Sequence, residues 1–171
     1  MMSKNYQYFV EGECEEKLIN TLKTPQGNAL LAGKVEVFNI VSKKLSNQRI
    51  AVLKPDTIII LVYDTDIQQT EILEENIKKL EKYGFKKIYH VQSIYNFEDE
   101  IVYSTSLKRI GDMYGTSGRD EFKKIFLRQN NLLSKLEKIG FDKDKLWCRL
   151  NDKPPFNKFS SQDALKLIKK K

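Results

Sequence analysis

The chain has 171 residues, of which 40% are hydrophobic and 31% charged, with a formal net charge of +7. This composition is typical of one folded domain, alone or with an appendage. No segment approaches the roughly 20 apolar residues of a membrane span, and the N-terminus lacks the apolar core of a signal peptide. Two cysteines, Cys14 and Cys148, exclude a disulfide framework, so we expect a cytoplasmic protein with reduced thiols that does not bind membranes.

Strand and helix patterns alternate along the first 103 residues. The four strand patterns are short and rich in apolar, β-branched and aromatic residues, and they cover residues 6–10, 35–40, 57–63 and 87–92. The helical patterns place apolar residues three or four apart, over 13–23, 41–52, 70–82 and 96–103. This alternation predicts an α/β fold with a mostly parallel four-stranded sheet flanked by helices.

The last third of the chain has a different pattern and a different charge. Residues 1–100 carry 13 basic and 15 acidic side chains, whereas residues 101–171 carry 17 basic and 8 acidic ones. A long helix is predicted over 119–139 and a final helix capped by Ser160. We therefore predict a core over 1–103 and a basic, mainly helical extension over 104–171 that packs on it. The basic residues would attract a polyanion, unless they form only solvated surfaces.

Acidic residues follow two of the predicted strands. Glu11 comes after the first strand, with Glu15 four residues later, and Asp64 and Asp66 end the third strand and would share one face. The carboxyl ends of parallel strands meet at one edge of a sheet, where ligands bind. Carboxylates gathered there repel one another unless a cation compensates them, and Mg²⁺ or Mn²⁺ suits such oxygen ligands. Either acidic motif alone favours helix capping, but the two together favour a metal site.

These motifs resemble the Toprim domain, and the spelling of residues 10–15 is closest to small stand-alone RloB-like and overcoming-lysogenization-defect nuclease-type Toprim proteins. The resemblance covers residues 6 to about 103 and includes the Phe97-Glu98 pair after the fourth strand. It implies a Rossmann-like core and Mg²⁺-dependent (or Mn²⁺-dependent) phosphodiester chemistry. The catalytic residues that it implies are Glu11, Asp64 and Asp66. The implied metal ligands are Glu11, Glu15, Asp64, Asp66 and Glu98.

The chain departs from that family in two respects. Nucleases of this class commonly carry an ATPase in the same chain, but no phosphate-binding loop of the G-x-x-x-x-G-K-[ST] type is present here. Any ATPase would therefore be a separate protein partner. The class also uses a lysine near the metal, but no motif identifies that lysine in this chain. The candidates are Lys108, Lys123, Lys153 and Lys158.

The predicted function is metal-dependent hydrolysis of phosphodiester bonds in nucleic acid, either DNA or RNA, in a phage-defence or mobile-element context. One alternative is a non-catalytic interaction module that docks a separate ATPase partner. Another is phosphoryl transfer to or from a nucleotide, because the same metal cluster serves that chemistry.

Other reactive or aromatic residues are interpreted as structural. His90 lies in a predicted strand without a nearby catalytic partner, and Cys14 falls on the apolar stripe of its helix. Most of the 8 Tyr and 9 Phe residues occupy predicted core positions, so no platform for stacking bases is expected.

Overall fold

Four β-strands form one sheet in which all neighbouring strands run parallel. The computed structural model describes residues 5–168. In chain order the strands are β1 (Tyr6–Val10), β2 (Lys34–Val37), β3 (Ile58–Asp64) and β4 (Ile88–Ser93). Their order across the sheet is β2-β1-β3-β4. The predicted α/β class, with a four-stranded parallel sheet flanked by helices, is therefore confirmed.

Helices connect the strands because parallel neighbours cannot be joined by a tight turn. These helices are α1 (Glu13–Leu22), α2 (Asn47–Ala51) and α3 (Glu71–Lys82), and α4 (Phe97–Tyr103) follows the last strand. Asn96 caps α4, since its side chain accepts a hydrogen bond from the Asp99 backbone N–H at 3.0 Å. Among residues 5–168, no helix is both long enough and apolar enough to cross a membrane.

Alternate residues of the strands point to two separate hydrophobic clusters. One face carries Tyr8, Ile60, Val62 and Val91 and is covered by α1, α4 and the last third of the chain. The other face carries Phe9, Ile59, Leu61 and Tyr63 and is covered by α2, α3 and Phe156. Both faces of the central strands are thus buried, which explains why β3 reads as one continuous apolar run.

The last third of the chain forms short helices, most of which pack into the first of these clusters, while Phe156 belongs to the second. They are α5 (Arg119–Arg128), α6 (Leu132–Lys138) and α7 (Ala164–Leu167), with 3₁₀ helices at Ile110–Met113 and Phe156–Phe159. Phe122, Phe126 and Trp147 are buried together with residues of α1 and α4. Residues of the predicted core and of the predicted extension therefore share one hydrophobic cluster.

A buried ion pair joins the segment after α6 to α4. Glu100 is fully buried, and its carboxylate accepts hydrogen bonds from the Trp147 backbone N–H at 2.6 Å and from Arg149 Nη2 at 2.7 Å. Burial raises the pKa of Glu100, while the Arg149 guanidinium opposes that rise. Arg149 also lies over the Tyr103 ring, 4.2 Å from its centroid. Neither Glu100 nor Arg149 was singled out from the sequence.

The single long helix predicted over 119–139 is wrong, because the chain forms α5 and α6 with a break at 129–131. Asn131 adopts a left-handed conformation with φ 51° and caps α6 by accepting the Ser134 N–H. Lys17 Nζ donates to the backbone oxygens of Leu127 and Gln129 at 2.6 and 2.8 Å. This lysine satisfies carbonyl groups at the end of α5 that a continuous helix would have paired internally.

Two further predicted elements differ from the structure for similar local reasons. The helix predicted over 41–52 shortens to α2, because the Asn39 side chain accepts the Val41 and Ser42 N–H groups and forms a turn instead. Ser160 does not cap a helix, since its hydroxyl accepts the Asn151 N–H at 2.7 Å and α7 begins later, at Ala164.

Replacing Arg149 by Met should destabilise the protein by about 3 kcal/mol, because it leaves the Glu100 carboxylate buried without its cation. Urea unfolding followed by circular dichroism measures this change. The matched control is Arg109→Met, which breaks a surface pair with Asp112 and should change stability by no more than about 0.5 kcal/mol. Equal small effects of the two substitutions would contradict the role given to the buried pair.

Candidate active site

Four of the five predicted acidic residues lie near one another at the carboxyl edge of the sheet, where β1, β3 and β4 end side by side. Glu11 follows the last residue of β1, Asp64 is the last residue of β3, and Glu98 lies in the first turn of α4 after β4. The chain leaves β1 towards β2 on one side and returns as β3 on the other, so this edge contains a switch in strand order. Such switch points are where open parallel sheets bind ligands.

Glu11 is held against the neighbouring strand by a backbone hydrogen bond. Its Oε2 accepts the Asp64 N–H at 3.0 Å, which ties the end of β1 to the end of β3. Burial raises the pKa of Glu11, and the nearby Asp66 carboxylate adds to this rise. The Asp64 N–H and the Asn39 side chain oppose it by hydrogen bonding. Asn39 is a polar contributor to the site that the sequence pattern did not reveal.

Among the acids of the cluster, the carboxyl group of Asp64 has the pKa that is shifted furthest from its ordinary value. Burial, followed by the nearby carboxylates of Glu15 and Glu11, raises its pKa from 3.8 to about 9, although hydrogen bonds from the Ser93 side chain and the Phe97 backbone oppose the rise. Its Oδ1 atom is buried and has no hydrogen-bond partner. A buried carboxylate oxygen in this condition is costly unless it is protonated or meets a cation.

Ser93 lies opposite Asp64 in the β3–β4 register. Its hydroxyl also accepts the Trp147 indole N–H at 3.3 Å, so it connects the carboxylate to the last third of the chain. A serine at the end of a strand carries no distinctive sequence signal, and its role emerges only from the pairing of β4 with β3.

Glu15 and Glu98 add two deeply buried carboxylates, which are only 5% and 3% exposed. Burial, together with Glu11 and Glu98, raises the pKa of Glu15 to about 7, while its own backbone N–H and Lys123 oppose the rise. A Cβ atom at position 12 would lie 3.1 Å from Glu15 Oε2, so Gly12 leaves room for this carboxylate beside the β1–α1 junction.

Lys123 on α5 brings a cation to these acids. Its Nζ lies 3.3 Å from Glu98 Oε1, while half of its side chain remains exposed. Burial lowers the pKa of Lys123, but Glu98 and Glu15 raise it by more, so the amine stays charged. Of the four candidate lysines, Lys123 is the one that the structure brings to this ion pair, whereas Lys158 pairs with Glu74 on α3.

Asp66 lies apart from the buried acids. Strand β3 ends at Asp64, so Asp66 does not share an extended strand face with it, as the sequence predicted, and it is exposed in the following loop. It still raises the pKa of Glu11. Asp66 also lines a cavity of about 190 Å³ together with Thr65, Tyr95 and Lys153.

Carboxylate oxygens are the donor atoms that these residues offer to a divalent cation. Within residues 5–168, no group of three or more Asp, Glu, His or Cys side chains is arranged so that it could hold a metal ion as it stands. The oxygen donors nevertheless suit Mg²⁺ or Mn²⁺, and Asp64 Oδ1 is a buried acceptor in need of a partner.

One hydrogen bond of the cluster also agrees with the helix-capping alternative. The backbone N–H of Phe97, the first residue of α4, lowers the pKa of Asp64, whereas the N–H that Glu11 accepts belongs to Asp64 on strand β3 and not to a helix. Capping does not account for the raised pKa values of Glu11, Glu15 and Asp64, because carboxylates that only cap helices are stabilised in their charged form.

His90 and Cys14 both lie in packed surroundings, but Cys14 is beside the acids, because burial and then Glu15 raise its pKa to about 12. The His90 ring stacks on Phe159 and shares a 2.9 Å hydrogen bond with the Tyr63 hydroxyl, and burial lowers its pKa to about 4. Cys14 is buried in the cluster beneath α1. Both residues therefore stabilise the core, in line with their structural interpretation.

The chain was compared with known proteins by family, by sequence and by structure. No protein-family model, curated protein or solved structure matches it.

Replacing Asp64 by Asn should stabilise the metal-free protein at pH 8 by roughly 0.5–2 kcal/mol, as often happens when a strained functional group is removed. Asp64 loses its proton near pH 3.8 when unfolded but near pH 9 when folded. The folded state therefore binds more protons between these values, and stability falls as pH rises through that window. Denaturant unfolding in EDTA at pH 5 and pH 8 measures the effect.

The matched control for this measurement is Asp56→Asn. Asp56 lies in the turn before β3, at the opposite edge of the sheet, with φ 62°, a conformation that asparagine tolerates. We expect no change in the pH dependence from this control. A wild-type stability that does not decline between pH 5 and pH 8 relative to Asp64→Asn would contradict the buried-acid description.

Proposed function

We propose that this protein is a metal-dependent nuclease of the Toprim type that hydrolyses phosphodiester bonds in nucleic acid. The observation that carries the proposal is the convergence of Glu11, Glu15, Asp64 and Glu98 at the switch point of the sheet, with three of their pKa values raised. Acids whose pKa values are raised by burial and then by neighbouring carboxylates are typical of functional sites.

Mutual repulsion is the physical reason to invoke a cation. Protonation relieves it in the isolated protein, but a divalent cation would relieve it better and would displace the protons. The residues that would hold Mg²⁺ or Mn²⁺ are Glu11, Glu15, Asp64 and Glu98, with Asp66 at the exposed end. Such a metal supplies Lewis-acid polarisation of the phosphodiester and a lowered pKa for a bound water.

Lys123 is proposed as the residue that contacts the scissile phosphate. Its ammonium group is partnered by Glu98 and half exposed, so it can reach a phosphate oxygen without losing the carboxylate that keeps it in place. A fixed cation at this position would stabilise the negative charge that develops on the phosphate during hydrolysis.

The charge distribution supports nucleic acid as the substrate. Residues 101–171 carry a net charge of +9, and the basic α5 lies directly beside the acids through Lys123. Lysines and arginines bind the phosphate backbone with an affinity that falls as salt rises. DNA and RNA are both compatible with this chemistry, so both belong in the assay.

The alternative function is a non-catalytic module that docks a separate ATPase partner. The observation that favours it is the hydrogen bonding of Glu11 and Asp64 to backbone N–H groups, which gives these acids a structural use. The two functions differ in whether metal binds, because only the nuclease needs the cluster to hold a cation.

Replacing Asp64 by Asn should lower metal-dependent cleavage at least about a thousandfold, because the variant loses a ligand at the centre of the cluster. The assay follows cleavage of labelled single-stranded and double-stranded DNA and RNA in Mg²⁺, Mn²⁺ and EDTA. Asp56→Asn is the control and should cleave as the wild type does. Addition of Mn²⁺ should also raise the melting temperature of the wild type but not of Asp64→Asn.

Unchanged cleavage in Asp64→Asn would refute the proposed mechanism. A wild type that neither cleaves any of these substrates nor shows a metal-induced thermal shift would instead favour the docking module.

Replacing Lys123 by Met should lower cleavage roughly a hundredfold, because it removes a positioned cation from the developing charge. Lys124→Met is the matched control, since Lys124 is the neighbouring exposed residue of the same helix. The comparison uses single-turnover rates with saturating protein, so that weaker binding does not enter the result. Equal rates for the two variants would exclude a catalytic role of Lys123.

A further inference from the structure

An exposed tyrosine on the loop that follows β4 meets a lysine from a later loop beside the acidic cluster. Tyr95 is 50% exposed, and Lys153 Nζ donates a hydrogen bond of 2.8 Å to its hydroxyl while lying 5.2 Å from the ring centroid. We call Tyr95 and Lys153 the aromatic–lysine shelf. The shelf lines a cavity of about 190 Å³ whose wall also includes Thr65 and Asp66.

The backbone of Tyr95 is held in a conformation that tyrosine rarely adopts. Its φ is 70°, in the left-handed region that favours glycine. Two hydrogen bonds maintain it, since Thr65 donates its N–H to the Tyr95 carbonyl at 3.0 Å and the Tyr95 N–H donates to Thr65 Oγ1 at 3.1 Å. An exposed aromatic residue kept in a strained conformation points to a use other than packing.

Thr65 couples the shelf to the acidic cluster. It lies between Asp64 and Asp66 in the chain, and its hydroxyl donates to the Ser93 carbonyl at 3.0 Å. The residue that fixes Tyr95 is therefore the immediate neighbour of the most perturbed acid. A ligand group bound on the shelf would lie next to a group bound at the cluster.

The loop that carries Lys153 is also held in place. The Asn151 side chain accepts the Lys153 N–H at 3.0 Å, and the Phe156 carbonyl accepts a hydrogen bond from Gln92 on β4 at 3.1 Å. Lys153 thus projects from a loop anchored at both ends. Its terminal amine stays exposed to solvent, where it can meet an anionic group.

We propose that the shelf binds an unpaired nucleotide adjacent to the scissile phosphate. Tyr95 stacks on the nucleobase, and Lys153 contacts the neighbouring phosphate. Aromatic rings stack on bases of any sequence, whereas a base inside a duplex does not offer its face. This inference deepens the proposed function, on which it rests for the position of the scissile phosphate, and it specifies single-stranded nucleic acid or unpaired ends as the substrate class.

The test measures binding rather than cleavage, so that it does not depend on the chemical step. Fluorescence anisotropy of the full-length protein in EDTA, with a labelled single-stranded oligonucleotide of about ten nucleotides, gives the dissociation constant. Tyr95→Ala should weaken binding about tenfold, as expected for the loss of one stacked base, and Tyr95→Phe should retain the wild-type affinity within about twofold. Lys153→Ala should weaken binding and reduce the slope of log affinity against log salt by about one.

Matched controls lie at the opposite edge of the sheet. Tyr83 is 46% exposed at the end of α3, and Lys82 is the exposed residue before it. Tyr83→Ala and Lys82→Ala should bind as the wild type does. An oligonucleotide of the same length without bases should bind wild type and Tyr95→Ala equally, because only the stacking contact has been removed.

The outcomes separate this inference from the proposed function. Tyr95→Ala binding that equals that of Tyr83→Ala overturns the shelf, whether or not the wild type cleaves nucleic acid. A wild type that does not bind single strands overturns it as well. If Tyr95→Ala selectively loses binding of the oligonucleotide and the wild type cleaves nothing in any metal, the shelf is supported as a binding site. The nuclease proposal fails in that case.

Discussion

Electrostatic repulsion among buried carboxylates at the carboxyl edge of the sheet is the constraint around which the rest of this protein is arranged. Parallel strands bring Glu11 and Asp64 to the same edge, and the burial that stabilises the sheet removes the water that would otherwise screen these charges. The cluster lowers the stability of the metal-free fold.

The last third of the chain contributes both hydrophobic packing and compensating positive charge next to these carboxylates. Its aromatic residues complete the hydrophobic cluster under α1 and α4, and Arg149 compensates the fully buried Glu100. Once docked in this way, α5 presents Lys123 to Glu98. The same segment that stabilises the core therefore also supplies the cation nearest to the acids.

The sequence predicted the parts of this molecule that depend on local pattern. Short sequence motifs predicted the apolar strands, the helix over residues 71–82 and the acids at the ends of β1 and β3. Asn39 and Ser93 were not predicted, because their roles come from residues far away in the chain. Lys123 could be placed only among four candidates, since a lysine on an amphipathic helix is usually a solvated side chain.

The failed helix prediction has the same physical origin. Residues 119–139 have continuous helical spacing, but Asn131 caps a new helix and Lys17, more than a hundred positions earlier, takes the carbonyl groups at the end of α5. Tertiary contacts thus override a favourable local pattern, as they commonly do for helices. Similarly, a count of aromatic residues at core positions gave no reason to expect Tyr95 on the surface.

A cluster of acids and a polyanionic substrate repel each other, so the proposed chemistry requires the protein to hold the substrate by other means. The half-exposed Lys123 provides one point of attraction at the cluster itself. Lys153, which lines a cavity together with Asp66, provides another. The proposed stacking on Tyr95 would add an attraction that does not depend on charge and would therefore persist when salt weakens the lysine contacts. Under the proposed function, the separation of an acidic region from an exposed aromatic and basic one would let the first bind cations and the second bind the strand. Thr65 links the two regions, since it follows Asp64 in the chain and forms hydrogen bonds with Ser93 and Tyr95.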